Sequence, residues 1–387
     1  MGKNNLKTIT FFLLLQTILT AAAFAAGFLS RDHLANQSNI FPILTQAYNI
    51  LKNHGLKELP AFSSLQYGMV RGMLQAYDEP HTTFVEPPQH ELQTNQLEGK
   101  FGGIGSRLER DPDGYIFLFP FADSPAVLSG VQEGDRLLAV GNLQIDADTN
   151  MDDILAAIRG PVGDKVILII GHAPEYLPLA VTIKRDEVSL PSVTWNIAQG
   201  DPRIGLIQIN TIAATTPKET QRAIDDLMER DASYFILDLR HNFGGLVDAG
   251  VDTAQLFLEK GDAIISEQYR GQDEETFVAK QDGPFKEIPL VVLVSNQTAS
   301  AAEIIAGALQ GQGRAQLIGV PTYGKDSIQL IFDLDDGSSI HVTSARWWIA
   351  GYGSITGTGL QPDIILAEEN MQDQQPVQAA IKHLLDE

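Results

Sequence analysis

Apolar and polar positions fall into distinct textures along the chain. Residues 8–30 carry no charge, rich in Phe, Leu and Ile at first and in Ala later, with Lys3 and Lys7 before them and Arg31 and Asp32 after. From about Ala35 to Asn95 apolar residues recur at helical spacing, as in Leu65-Gln66-Tyr67-Gly68-Met69-Val70-Arg71-Gly72-Met73-Leu74. The turn-rich Asp78-Glu79-Pro80-His81-Thr82-Thr83-Phe84 interrupts them. From Phe101 to about Val188 the runs shorten. Arg110-Asp111-Pro112-Asp113-Gly114 predicts a hairpin turn, Tyr115–Phe119 and Lys165–Ile170 predict strands, and Met151–Ile158 predicts a helix ended by Gly160-Pro161. From about Ile204 strands and helices alternate. Strands are expected at Ile204–Ile209, Tyr234–Leu239, Pro289–Val294 and Leu317–Gly319. Helices are expected at Glu219–Arg230, Leu246–Leu258 and from Ser300 to Leu309. A hairpin follows, Ser327–Leu334 and Ser339–Trp348, turning at Asp335-Asp336-Gly337. Pro376–Leu385 reads as a terminal helix. Alternating β and α predicts a layered α/β domain with helices on a largely parallel sheet.

The first segment has the order of a signal peptide: a basic flank, an apolar run, and Ala23-Phe24-Ala25 as a small-x-small cleavage site. At about 1.5 Å per residue, some 20 such residues also cross a bilayer of roughly 30 Å. Signal peptide and retained membrane anchor through residues 8–30 both stay open. Either way the basic flank remains cytoplasmic and the rest is exported, which predicts a periplasmic or other extracytoplasmic protein, anchored or secreted.

The 387 residues leave room for two or three domains, and 44% apolar content suffices for sizeable cores. A formal charge of −22 repels nucleic acid and acidic lipid and argues against both as partners. The chain has no cysteine, which excludes disulfides, thiolate nucleophiles and zinc–cysteine sites.

Candidate chemistry gathers in three segments. Ser300 follows the strand Pro289–Val294 and opens a helix. Ser300-Ala301-Ala302-Glu303 fits a helix capping box, so a plain capping role competes with a catalytic one. The small residues Thr298-Ala299-Ser300-Ala301-Ala302 leave space for a substrate backbone, and a helix N-terminus supplies the N–H groups that a tetrahedral oxyanion needs. A serine nucleophile requires a base. Among the eight histidines, His241 beside the glycine turn is the best placed. Lysine is the other choice: Thr322-Tyr323-Gly324-Lys325 sets Lys325 at the edge of a strand, with Gln329 four residues on and on the same side. Free lysine titrates near 10.4, and burial lowers that by disfavouring the ammonium. A neutral Lys325 could then take the serine proton. A surface lysine at a turn is the competing reading. In Asp238-Leu239-Arg240-His241-Asn242-Phe243-Gly244-Gly245, a buried strand enters a glycine turn whose N–H groups at Gly244 or Gly245 offer a second oxyanion donor.

Within the short-strand region, Phe101-Gly102-Gly103-Ile104-Gly105 and Gly130-Val131-Gln132-Glu133-Gly134-Asp135-Arg136-Leu137-Leu138-Ala139-Val140 together resemble a PDZ domain. Consecutive N–H groups at Gly103, Ile104 and Gly105 would form a nest for a peptide's terminal carboxylate; a β-bulge needing glycine for shape is the alternative.

Taken with Tyr67-Gly68-Met69-Val70-Arg71-Gly72-Met73, Asp78-Glu79-Pro80-His81-Thr82 and Gly359-Leu360-Gln361-Pro362-Asp363, these blocks resemble the C-terminal processing peptidases, or tail-specific proteases, over residues 40–370. The resemblance implies a serine endopeptidase acting on proteins with exposed C-terminal tails. Ser300, Lys325 and Gln329 match the family's catalytic serine, lysine and glutamine. Its oxyanion hole implies the N–H of Ala301 and one of Gly244-Gly245. No metal or other cofactor is implied. The implied fold is α/β, a layered β-α protease core of crotonase/ClpP-like type, with an inserted PDZ-like β module and an N-terminal helical region. The expected divisions are 1–30 (signal or anchor), 31–97 (helical), 98–188 (PDZ), 189–369 (protease core) and 370–387 (tail helix). A homo-oligomer and an activating partner are left open. The sequence departs from the family at Gln297 and Asp326, where glycine is frequent, and at Phe243, where proline is common. Asp326 would hold Lys325 charged if it pointed inward. Two other readings are a catalytically silent PDZ scaffold that binds tails and a coenzyme-A-type acyl enzyme on a crotonase-like core.

Overall fold

The computed structural model describes residues 41–349, 353–371 and 374–386. The expected signal or anchor, residues 1–30, lies outside them. No helix among the described residues is long and apolar enough to cross a membrane.

The chain separates into two units, 1–70 and 71–387. In the first lie the helix Pro42–His54 and the start of the helix Phe62–Tyr77. Neither helix buries a residue, and Phe41, Ile43, Ile50, Leu51, Leu56 and Phe62 are exposed.

The second unit begins with the strand β1 (Thr83–Val85) and a helix, Pro87–Glu98. Then come β2 (Lys100–Gly103), β3 (Ser106–Arg110), β4 (Ile116–Pro120), β5 (Asp135–Val140), β6 (Leu143–Gln144), β7 (Lys165–Gly171), β8 (Pro178–Lys184) and β9 (Asp186–Ser189). The order β3-β4-β5-β7-β8, with β6 beside β5, makes an antiparallel sheet. Its core gathers Ile104, Ile116, Leu118, Leu137, Leu168, Ile170 and Ile183 with Ile154 and Ile158 of the helix Met151–Ile158. β2 pairs with β9, so the chain enters and leaves this sheet side by side.

Next come β10 (Val193–Ile197), β11 (Ile204–Ile209), β12 (Tyr234–Asp238), β13 (Ala263–Tyr269), β14 (Glu275–Val278), β15 (Leu290–Val294), β16 (Gln316–Gly319), β17 (Ser327–Asp333), β18 (Ser339–Trp348) and β19 (Ile364–Ile365). A six-stranded sheet runs β10-β11-β12-β15-β16-β19, parallel except for the β10–β11 edge. Alternation along its strands explains their unbroken apolar runs. Phe235, Leu237, Val292 and Val294 face one core with Ile304, Ile305 and Leu309 of the helix Ala301–Gly311. Ile236, Val291 and Leu293 face the other, closed by Val377, Ala380, Ile381 and Leu384 of the terminal helix Gln375–Asp386. Each such fully buried side chain contributes about 1.5–3 kcal/mol.

Strands β13 and β14 were not anticipated, and the hairpin β17–β18 does not join the parallel sheet. It forms a second, antiparallel sheet with β1, β13 and β14. Pairing partners more than 200 residues apart, such as Thr83 and His341, leave no local signal.

Candidate active site

A cleft of ≈ 410 Å³ opens between the two sheets of the α/β region and is lined by Gly245, Ser300, Lys325 and Gln329. Its glycine turn and serine turn leave the C-terminal ends of adjacent parallel strands, β12 and β15. Crevices at that end are where layered α/β sheets bind ligands.

Ser300 has φ 56° and ψ −123°. A side-chain-bearing residue in this region costs of order 1–3 kcal/mol and is kept only where its surroundings enforce it. Here they do. Thr298 Oγ1 donates to Leu239 O (2.8 Å), Ala299 N–H donates to Asn242 O (3.0 Å), and Glu303 Oε2 accepts from Ser300 N–H (2.9 Å). Ser300 caps the helix Ala301–Gly311 in the capping box the sequence suggests: its side chain faces the Glu303 N–H, which also donates to Ser300 O (2.8 Å), while the Glu303 side chain takes the Ser300 N–H. It forms no hydrogen bond to Lys325 among the described residues.

The glycine turn is fixed from below. The Arg240 guanidinium pairs bidentately with buried Asp238, Nε to Oδ1 at 2.9 Å and Nη2 to Oδ2 at 2.6 Å. Buried Asn242 donates from Nδ2 to Ile209 O (2.9 Å), and its Oδ1 accepts from Gly244 N–H (2.8 Å). That bond occupies the Gly244 donor. The N–H groups of Gly245 and Ala301 have no hydrogen-bond acceptor among the described residues. Gly245 sits at φ 152°, where an added Cβ would lie 2.1 Å from Ile212 O; at Gly244 it would lie 2.8 Å from Ser300 Cβ. Both close approaches demand glycine.

Lys325 precedes β17 and is half-buried. Its Nζ donates to Gln329 Oε1 (2.6 Å), and Gln329 Nε2 donates to His81 O. The second bond orients the amide so that its oxygen meets the amine. Burial pulls the Lys325 ammonium below the ordinary lysine range, opposed by the carboxylates of Glu79 and Glu303. Asp326 does not hold the lysine charged: Thr356 Oγ1 donates to its carboxylate, so it is turned away from the amine. The Glu79–Thr82 turn is fastened as well. Glu79 accepts from Thr82 Oγ1 (2.5 Å) and His81 N–H (3.2 Å), and Thr82 Oγ1 accepts from Thr343 N–H on β18 (3.1 Å).

One buried carboxylate joins the serine and lysine segments. Glu303 Oε1 accepts from Thr322 Oγ1 (2.5 Å) and Gly324 N–H (2.7 Å), while Oε2 accepts from Ser300 N–H and Lys325 N–H (3.0 Å). Burial pushes its carboxyl above the usual glutamate range, with the four hydrogen bonds pulling the other way. Thr322 is in turn held by Leu360, whose N–H donates to Thr322 Oγ1 (2.7 Å). The sequence blocks around Glu303, Thr322 and Leu360 thus meet in a single network.

His241 does not reach the cleft. It is exposed, with Nδ1 against Gln297 Oε1 (3.0 Å). Sequence reasoning missed His341, Glu267, Asp248 and Tyr269, which line the cleft from the second sheet or the helix Val247–Gln255. None of these positions carries a motif. Gly103, Ile104 and Gly105 are buried and lie outside the cleft. Gly103 ends β2, Ile104 O accepts from Ala126 N–H (2.9 Å), and Gly105 O accepts from Phe121 N–H (2.9 Å). Among the described residues no three acidic or histidine groups converge as metal ligands.

Comparison with known proteins matches residues 203–366 to peptidase family S41 and residues 122–170 to PDZ domains. The chain is similar to the carboxy-terminal processing protease CtpA of Bacillus subtilis (strain 168), 31% identical over 360 residues that span 92% of this chain and 76% of that one. It is similar to the carboxyl-terminal-processing protease of Synechocystis sp., 35% identical over 307 residues, 78% of this chain and 71% of that one. A solved photosystem II D1 C-terminal processing protease matches at 25% identity and a TM-score of 0.48, over 89% of this chain and 92% of that one.

Proposed function

The chain belongs to peptidase family S41, as a serine-type peptidase akin to the carboxy-terminal processing proteases, and from that premise we propose that Ser300 and Lys325 are its catalytic pair. The carrying observation is that a half-buried lysine with a depressed pKa shares one cleft with a serine held at φ 56°.

In this reading Ser300 Oγ attacks the peptide carbonyl carbon and gives its proton to neutral Lys325 Nζ. The carbonyl oxygen becomes an oxyanion and accepts from the N–H groups of Ala301 and Gly245. Gly244 is set aside because Asn242 already occupies its donor. The lysine ammonium returns the proton to the leaving amine, which departs with its half of the chain. Lys325 then takes a proton from water, whose oxygen attacks the acyl-serine carbonyl carbon; the ester bond to Oγ breaks, the acid leaves, and the lysine ammonium returns the proton to Ser300 Oγ. Gln329 holds Nζ without adding charge. Substrate binding has to bring Oγ and Nζ into contact, since catalytic hydrogen bonds commonly tighten only in the complex.

The rate should rise with pH as Lys325 loses its proton, with a midpoint below the 10.4 of free lysine. Glu79 favours the ammonium, so Glu79→Gln removes an opposing charge and should move this limb to lower pH. A pH profile of kcat/KM for parent and variant checks the direction.

The PDZ-matching module supplies the proposed recognition of substrate tails through Gly103, Ile104 and Gly105, and the apolar run 8–30 supports export of the whole. Paired unfolded substrates ending in a free or amidated carboxyl group test the first point. Amidation should raise KM about tenfold, the value of a charge-assisted contact near 1.4 kcal/mol. Equal cleavage of both would overturn tail recognition while leaving the catalytic pair standing.

A further inference from the structure

The same cleft holds a carboxylate that is unpaired among the described residues. Glu267 lies on β13, across from Glu275 on β14 and Trp347 on β18. It is 8% exposed and lines the cleft with Ser300 and Lys325. It has no hydrogen bond or ion pair among the described residues, and the charges acting on it, Glu275 and Asp248, share its sign. Asp248 and Tyr269 line the same cleft. A second, independent observation marks the spot as unfinished. Ser327, also 8% exposed and also lining the cleft, buries its hydroxyl without a partner among the described residues.

Partial burial and the like charges of Glu275 and Asp248 push the Glu267 carboxyl above the usual glutamate range, so its anion is disfavoured until a cation meets it in the cleft. A structure keeps such a group where a ligand completes it. The missing group must be cationic and able to donate several hydrogen bonds, and it must enter from the cleft where the peptide is cut. Divalent metal fits poorly, because no three ligating groups converge among the described residues. A lysine ammonium or arginine guanidinium fits on each count. Asp248 meets its charge from the cleft rim, and the Tyr269 ring offers a face on which a cation is attracted.

We propose that Glu267, with Asp248 and Tyr269, forms a subsite that takes a lysine or arginine side chain of the substrate close to the scissile bond. This rests on the reading of Ser300 as nucleophile. The bound cation favours the ionised form of Glu267, whose carboxylate accepts from the cationic head, and the aliphatic stem lies along the cleft. The enzyme thereby selects sites of cleavage by charge as well as by tail.

The test uses N-acetylated peptides that place Lys, Arg, norleucine or Glu, one at a time, at each of the positions flanking the cut. The parent should favour Lys and Arg over norleucine in kcat/KM at one position, about tenfold to a hundredfold, and reject Glu there. Glu267→Gln should bring the Lys-to-norleucine ratio to near one, and Asp248→Asn should reduce it. A parent without preference, or a ratio unmoved in Glu267→Gln, overturns the subsite. Binding of the same peptides to Ser300→Ala by fluorescence anisotropy separates the two readings. Preferential binding of Lys peptides with no turnover by the parent would sink the hydrolytic reading and keep the subsite. Equal binding would sink the subsite alone.

Discussion

Ser300→Ala is expected to lower kcat for peptide cleavage by about four orders of magnitude or more, with the fold intact. The Glu303 N–H that the hydroxyl faces in the capping box also donates to Ser300 O (2.8 Å), so loss of the hydroxyl leaves that donor paired. Alanine meets the same φ penalty as serine at this turn, and the backbone bonds to Glu303 and Asn242 survive. What disappears is the atom that would attack the carbonyl. The oxyanion donors of Ala301 and Gly245 remain and leave a small residual rate. Lys325→Met, which keeps the stem and removes the amine, should cost a comparable amount. Groups that act as one unit are strongly non-additive, so the double variant should be no slower than Ser300→Ala alone. Mass-spectrometric cleavage assays with all three variants decide the point. Full activity in Ser300→Ala, or additive losses, would break the pair.

Glu303→Ala is expected to destabilise the protein by about 3–5 kcal/mol, because it removes one acceptor from four donors in a fully buried place. Each buried donor left unsatisfied costs about 1–3 kcal/mol, reduced where water enters the vacated space. At roughly 2–4 °C per kcal/mol, Tm should fall by about 10 °C. Activity should fall too, since Ser300 N–H, Gly324 N–H and Lys325 N–H all lose the group that sets their spacing. Glu303→Gln keeps the volume but turns an NH₂ group against N–H or O–H donors. It should cost about 2 kcal/mol and depress kcat more than KM. Thermal and denaturant unfolding measure the first effect and steady-state kinetics the second. A Glu303→Ala protein with unchanged Tm and rate would show that the serine and lysine segments hold their places independently.

Much of the parallel sheet was readable from local pattern. Ile204–Ile209 and Met151–Ile158 have the boundaries their periodicity predicts, because a strand buried on both faces and a capped helix each announce themselves in a few neighbouring residues. The second sheet was not readable. β13 (AIISEQY) and β14 (ETFV) show no apolar–polar alternation, and β13 takes its register from β18, with partners such as Tyr269 and Ala345 far apart in the chain. The Lys325–Gln329 contact was anticipated from strand periodicity, although Lys325 precedes β17. The bond to His81 O, far away in sequence, is what orients the glutamine.

The sequence by itself determined the family, the order of the parallel strands with their helices, and the candidate residues of the site, since these rest on spacing, periodicity and motif within one stretch of chain. Only the tertiary structure decided which glycine keeps a free N–H, where Asp326 points, that His241 stays outside the cleft, and that Glu303 joins the serine to the lysine. Each of those depends on hydrogen-bond direction and burial among residues brought together by folding. A linear sequence records which groups are present, and only their positions in space fix which donor meets which acceptor.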